Sequence, residues 1–150
     1  MKIYRDKKEE VNRFTTRPKS EPREVMPVKQ AIFEQELNYH KEKDIHLRMQ
    51  EYLQELDKLT AKLQKTLTIN DLMMYKKLVK GFLKEAISKA YLLNLEPGRS
   101  RRGRAILLSV NLVDEEVEGV IQDFMQKKLE PIEVLSSLDK IRGMLVDLLA

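Results

Sequence analysis

The sequence predicts an all-α protein: a four- to five-helix antiparallel bundle with a long first helix and a disordered N-terminal arm. Apolar residues recur at spacings of three and four over four long stretches, which is the period of a helix and not of a strand. Charged residues make up 35% of the chain and aromatic residues 6%, which favours helices. Between Val28 and Val79 there is neither a glycine nor a proline.

The N-terminal residues form a separate segment by composition. Residues 1–27 show no sustained apolar period and contain Pro18, Pro22 and Pro27. A stretch of this kind buries too little apolar surface to offset the entropy lost on ordering. The predicted domains are therefore a flexible basic arm at 1–27 and a helical bundle domain at 28–150.

The first helical pattern is long and has a polar interruption. One apolar stripe follows the interruption and consists of Ile45, Met49, Leu53, Leu56, Leu59, Leu63 and Leu67. A shorter stripe precedes it, formed by Val28, Ile32, Phe33 and Leu37. A straight helix over both would be about 60 Å long. The pattern therefore predicts either a break near Lys41–Asp44, with Asp44 as the N-cap, or a first part that projects away from the bundle.

Three further helices follow, each with a recognisable start or end. The hydroxyl of Thr68 is expected to accept from the backbone N–H of Asp71 and to start the second helix, which ends before Pro97. Pro131 suits the first position of the fourth helix. The expected core stripes are Leu72, Tyr75, Val79, Phe82, Leu83, Ala86 and Ala90; then Leu107, Val110, Val113, Val117, Val120, Ile121, Phe124 and Met125; and finally Ile132, Leu135, Leu138, Ile141, Leu145 and Leu148.

The side chains that support catalysis or metal binding are sparse. Cysteine is absent and the two histidines, His40 and His46, are six residues apart. Glu36, His40 and Asp44 share a helical face but lie in a polar stretch, where a solvated face is the expected role. The acidic run Asp114–Glu116 is likewise interpreted as a solvated face. We therefore expect no enzyme, no catalytic residue, no metal site and no cofactor.

Localisation follows from the same composition. The first ten residues are charged throughout, and no stretch approaches the ~18 apolar residues that a membrane span needs. The absence of cysteine suits a reducing compartment. We expect a cytoplasmic protein that does not bind membranes.

One segment stands out chemically. Residues 98–104 contain four arginines, Arg99, Arg101, Arg102 and Arg104, at the head of a predicted helix. Guanidinium groups match phosphate and carboxylate geometry, and a helix N-terminus also favours anions. The segment is a candidate anion- or partner-binding site. The alternatives are a solvated loop, or a loop held to the bundle by acidic residues of the third helix, among them Glu115, Glu118 and Asp123.

These observations favour a non-enzymatic helical protein that binds another protein or itself, as an interaction or adaptor module. The alternative function is binding of nucleic acid or phosphate anions through the arginine segment. Two glycines inside helical patterns, Gly81 and Gly143, cost about 1 kcal/mol each relative to alanine there. They are expected to permit close approach of helices, and the alternative is that they are tolerated glycines on the surface.

Several motifs together resemble a bacterial family. They are Met1-Lys2-Ile3, Phe33 with Leu37, the block from Tyr75 to Ala86 (YKKLVKGFLKEA), Arg102-Gly103-Arg104 at a helix start, and the block from Asp139 to Leu149 (DKIRGMLVDLL). Over roughly residues 30–150 they resemble the YaaR-like proteins of Firmicutes and related bacteria. The resemblance implies a small all-helical cytosolic protein. The genes of the family lie near replication genes in several genomes. It implies no catalytic residues.

Overall fold

The computed structural model describes the backbone of residues 21–150 and the side chains from Val28 onward. Within this range the protein has four α-helices and no strand. The helices are α1 (Glu21–Lys65), α2 (Ile69–Asn94), α3 (Ser100–Met125) and α4 (Pro131–Leu149). The predicted all-α class and the long first helix are confirmed. Residues 1–20 of the predicted arm lie outside the described residues.

Helix α1 differs from its prediction in two ways. It begins at Glu21, seven residues before Val28, with Pro22 in the first turn, where a missing backbone N–H leaves no hydrogen bond unmade. It also does not break near Lys41–Asp44, and the expected N-cap at Asp44 is wrong. The chain divides into two compact units, one ending at His40 and the other comprising residues 41–150.

Within residues 41–150 the helices run in alternating directions. The ion pairs Arg48–Glu85 and Lys62–Asp71 connect α1 with α2 in opposite sequence order. The pairs Lys76–Glu118 and Lys80–Asp114 do the same for α2 and α3. Short connections between consecutive helices produce this up-and-down arrangement.

The bundle core consists of the predicted stripes with few exceptions. All seven residues predicted for α2 are buried, as are Ile45, Met49, Leu56 and Leu63 of α1. Two predictions are wrong: Met125 is 63% exposed and Ile132 is 73% exposed. Met125 is the last residue of α3. Ile132 is off the buried stripe of α4, because that stripe begins at Val134, about 200° further round the helix.

Two predicted helix boundaries are confirmed. Thr68 is the N-cap of α2, and its hydroxyl accepts a hydrogen bond of 3.2 Å from the backbone N–H of Asp71. Pro131 occupies the first turn of α4. Tyr75, buried in α2, donates a hydrogen bond of 3.5 Å to the carbonyl of Leu138 in α4, so the interior polar group has a partner.

Candidate functional site

The arginine segment is mostly helical rather than a loop. Helix α3 begins at Ser100, so Arg101, Arg102 and Arg104 lie in its first two turns, and Arg99 is the N-cap. Arg99 provides no side-chain capping hydrogen bond. The four arginines therefore project at different angles around a helix axis.

Arg99 is held by two carboxylates. Its Nη1 lies 2.6 Å from Oε2 of Glu96, and its Nη2 lies 3.0 Å from Oε1 of Glu42 in α1. These hydrogen bonds, that of Glu96 first, raise the pKa of Arg99, so the guanidinium stays charged. Arg99 thus connects the loop before α3 with α1, and its role is structural.

Within residues 28–150 the arginines form no ion pair with the acidic residues of α3 that the sequence suggested. Their carboxylate partners are Glu42 and Glu96. Glu118 pairs with Lys76 and Lys80 of α2, and the hydrogen bond with Lys76 is the main cause of its lowered pKa. Asp114 pairs with Lys80, and Glu116 pairs with Lys140 of α4. Two carboxylates of the Asp114–Glu116 run therefore hold neighbouring helices together.

Arg102 contributes to a basic cap on the last turn of α4. Its Nη2 lies 2.5 Å from the backbone oxygen of Ala150. Beside it Lys89 of α2 donates from Nζ to the carbonyls of Leu148 and Leu149, at 3.4 Å each. Cations at a helix C-terminus satisfy carbonyls that have no intrahelical donor and interact favourably with the helix dipole.

Lys89 is the residue of this region that sequence reasoning missed. It is only 5% exposed although lysine is rarely buried. Burial lowers the pKa of Lys89, and the nearby charge of Arg102 lowers it further. Its place on the apolar stripe of α2, three residues after Ala86 and four before Leu93, was the available signal.

Arg101 and Arg104 differ from the other two arginines. Both are exposed, and within residues 28–150 neither forms an ion pair. They are three residues apart on α3 and so share one side of the helix. The structure therefore does not bring the four predicted arginines together: two stabilise the bundle and two face solvent.

A second candidate surface lies in the first half of α1, and we call residues 28–40 the 28–40 surface. It exposes five large apolar side chains: Val28 59%, Ile32 56%, Phe33 67%, Leu37 42% and Tyr39 64%. Scattered exposed apolar residues are normal on a protein surface, whereas a concentration of this kind marks an interaction site.

The apolar side chains of the 28–40 surface form two stripes. At 100° per residue, Val28, Ile32 and Tyr39 lie within about 40° of one another around the helix, and Phe33 and Leu37 lie together on the far side of Glu36. The ring of Tyr39 also meets the His40 ring edge-on, with centroids 5.8 Å apart. The surface thus has two apolar sides separated by a polar strip.

The described part of the chain contains neither a candidate metal site nor a candidate membrane span. No group of three histidine, aspartate or glutamate side chains is placed to hold a metal ion. No helix there combines the length and apolar character needed to cross a bilayer.

One protein-family model matches most of the chain. The model of a family described as "Protein of unknown function (DUF327)" matches residues 4–149. The chain belongs to the DUF327 family. No curated protein and no solved structure matches it. The match spans both candidate surfaces of this DUF327 protein, the 28–40 surface and the arginine segment.

Proposed function

We propose that this DUF327 protein is a non-enzymatic interaction or adaptor module whose contact with other proteins is made by the 28–40 surface. The observation that carries the proposal is the exposure of five large apolar side chains within twelve residues of one helix. An amphipathic helix of this kind fits an apolar groove of a partner, with anchor residues three, four and seven positions apart.

We assign the contact with other proteins to the stripe of Val28, Ile32 and Tyr39. Its members are four and seven residues apart, which is the spacing of anchors on one helical side. Full burial of an isoleucine or a comparable side chain contributes roughly 1.5–3 kcal/mol. These three side chains are 56–64% exposed, so burial in a groove would supply part of that amount each, which favours a reversible contact.

Affinity capture from native cytosol tests this function. The full chain is compared with Ile32→Glu and Tyr39→Glu variants, and Leu108→Glu is the control because Leu108 is 67% exposed on α3. We expect wild type and Leu108→Glu to retain the same proteins and the two α1 variants to lose them. Capture that is unchanged in the α1 variants would contradict the proposal.

We also propose that the protein is a YaaR-like member of the family, of bacterial origin and located in the cytoplasm. The block from Tyr75 to Ala86 and the Arg102-Gly103-Arg104 helix start support the assignment. The match to a family model over residues 4–149 is consistent with it. Sequencing of the neighbouring genes and fractionation of cells that produce the protein test the two parts.

A second candidate function is anion or nucleic-acid binding through Arg101 and Arg104. The observation that favours it is that these two exposed arginines share one side of α3 and form no ion pair within residues 28–150. Replacing both by alanine should abolish any nuclease-sensitive capture and leave thermal stability unchanged. Binding of phosphates falls steeply with salt, so capture that is insensitive to salt and nuclease counts against this candidate.

A further inference from the structure

We propose that the 28–40 surface also binds a second copy of this chain, as a parallel, in-register pair of helices along the stripe of Phe33 and Leu37. This inference rests on the proposed function, because it names one partner of the same surface. The stripe of Val28, Ile32 and Tyr39 stays open for other proteins.

The seam of such a pair is defined by helical spacing. Phe33 and Leu37 are four residues apart, and Gln30 and His40 lie three residues before and after them. This is the alternation of three and four that places side chains along the contact line of a coiled coil. Asp44 takes the next position on the line, so the seam ends at His40.

Charges beside the seam identify the partner as a second copy. On this seam Gln30 and Leu37 occupy the a positions of the coiled-coil repeat. In a parallel pair, the residue just before each a position faces the residue five places further along the other helix. Here Lys29 faces Glu34, and Glu36 faces Lys41, so both pairings are of opposite charge. Two-fold symmetry repeats each pairing, which gives four attractive contacts.

These charges are available for pairing between copies. Lys29, Glu34, Glu36 and Lys41 are all exposed. Within residues 28–150 none of them takes part in an ion pair. A helix that used this face for solvation alone would have no need of opposite charges at a spacing of five, since neighbours on one helix are three or four apart.

Association of a short seam is favoured because the helix is already formed. Isolated helices shorter than about 12–15 residues are marginal, since nucleation is costly. The 28–40 surface is part of the 45-residue helix α1, so pairing does not bear that cost. Gln30 on the seam is a polar residue of the kind that fixes register at some cost in affinity.

Charge reversal tests the partner and the register together. Sedimentation equilibrium of the purified full chain should show a reversible dimer. Lys29→Glu alone and Glu34→Lys alone should each weaken dimerisation about tenfold, because two attractive pairs become repulsive. The double variant Lys29→Glu/Glu34→Lys should restore it, and an equimolar mixture of the two single variants should form heterodimers. Lys77→Glu, an exposed change on α2, is the matched control and should have no effect.

Disulfide trapping tests the orientation. The chain contains no cysteine, so a single introduced cysteine reports one position. Gln30→Cys lies on the seam and should form an interchain disulfide on mild oxidation, whereas Gln35→Cys, at an exposed position on the opposite side of α1, should not. Equal trapping at both positions, or none at position 30, would overturn the parallel arrangement.

The remaining outcomes separate this inference from the proposed function. A chain that stays monomeric up to about 100 μM, a dimer unaffected by Phe33→Ala/Leu37→Ala, or a double charge variant without recovery would each overturn self-pairing. If capture of other proteins still depends on Ile32 and Tyr39 in that case, the proposed function stands alone. Circular dichroism of every variant verifies that these exposed substitutions leave the helices intact.

Discussion

Arg142 of α4 forms a two-point ion pair with Asp57 of α1. Its Nε lies 2.7 Å from Oδ1 of Asp57 and its Nη2 lies 3.1 Å from Oδ2. The two side chains are 47% and 44% exposed, so solvent screens the attraction. The pair fixes the alignment of the two helices more than it stabilises them.

Arg142→Lys should keep the charge and lose the two-point geometry. The expected loss in free energy of unfolding is under about 1 kcal/mol, and it should shrink in 1 M salt. Urea unfolding at low and high salt measures both effects, with Arg104→Lys as the control without an ion pair among the described residues. A loss above about 2 kcal/mol would mean that the pair is more deeply involved in packing.

Gly103→Ala should destabilise the bundle despite the better helix propensity of alanine. A Cβ at position 103 would lie 2.8 Å from the carbonyl oxygen of Ala90 and would also collide with the Asn94 amide. Overpacking of this kind costs about 1–3 kcal/mol. Gly119→Ala in the same helix meets nothing within 4 Å and should stabilise by up to about 1 kcal/mol. Thermal unfolding of both variants tests the contrast, and equal shifts would contradict it.

Gly81→Ala and Gly143→Ala should differ in stability in the same way as Gly103→Ala and Gly119→Ala. A Cβ at Gly81 would lie 2.5 Å from the Tyr52 ring of α1, whereas nothing lies within 4 Å of one at Gly143. Close helix approach is therefore confirmed at Gly81 and wrong at Gly143. We expect Gly81→Ala to be the less stable of the two variants, and Tyr52→Ala to reduce that difference in a double-mutant cycle. A Gly81→Ala variant as stable as Gly143→Ala would show that Tyr52 moves freely.

Lys89→Met should change the pH dependence of the free energy of unfolding, because it removes a buried charge. The folded-state pKa of Lys89 is lowered from 10.5, mainly by burial. Between that lowered pKa and 10.5 the unfolded chain binds more protons than the folded one, so stability from this group rises with pH. The free energy of unfolding of wild type minus that of Lys89→Met should therefore increase as pH approaches 10.5. A constant or falling difference, measured by urea unfolding, would contradict the assignment.

The helices and most of the core residues could be predicted from the sequence. The stripe from Leu72 to Ala90 is buried throughout because its spacing of three and four keeps it on one side of a helix. The caps at Thr68 and Pro131 are local interactions, so they too are visible in the sequence. The start of α1 was predicted too late, because the three prolines of the arm suggested an irregular chain.

The candidate site was only partly predictable because its contacts are distant in sequence. The pair of Arg99 with Glu42 spans 57 residues, and the bond of Lys89 to Leu148 spans 59. No local pattern reveals such partners, so an arginine that holds helices together looks like one that faces solvent. The apolar stripe of residues 28–37 was visible in the sequence, but its exposure depends on the tertiary structure.

Photo-cross-linking at position 32 tests whether the 28–40 surface contacts another protein. A photoreactive amino acid replaces Ile32 in the full chain inside living cells, and the control carries it at Lys77, an exposed residue of α2. We expect a covalent adduct with a second polypeptide at position 32, weakened by Tyr39→Glu and absent at position 77. Illumination that yields no more adduct at position 32 than at position 77 would contradict it.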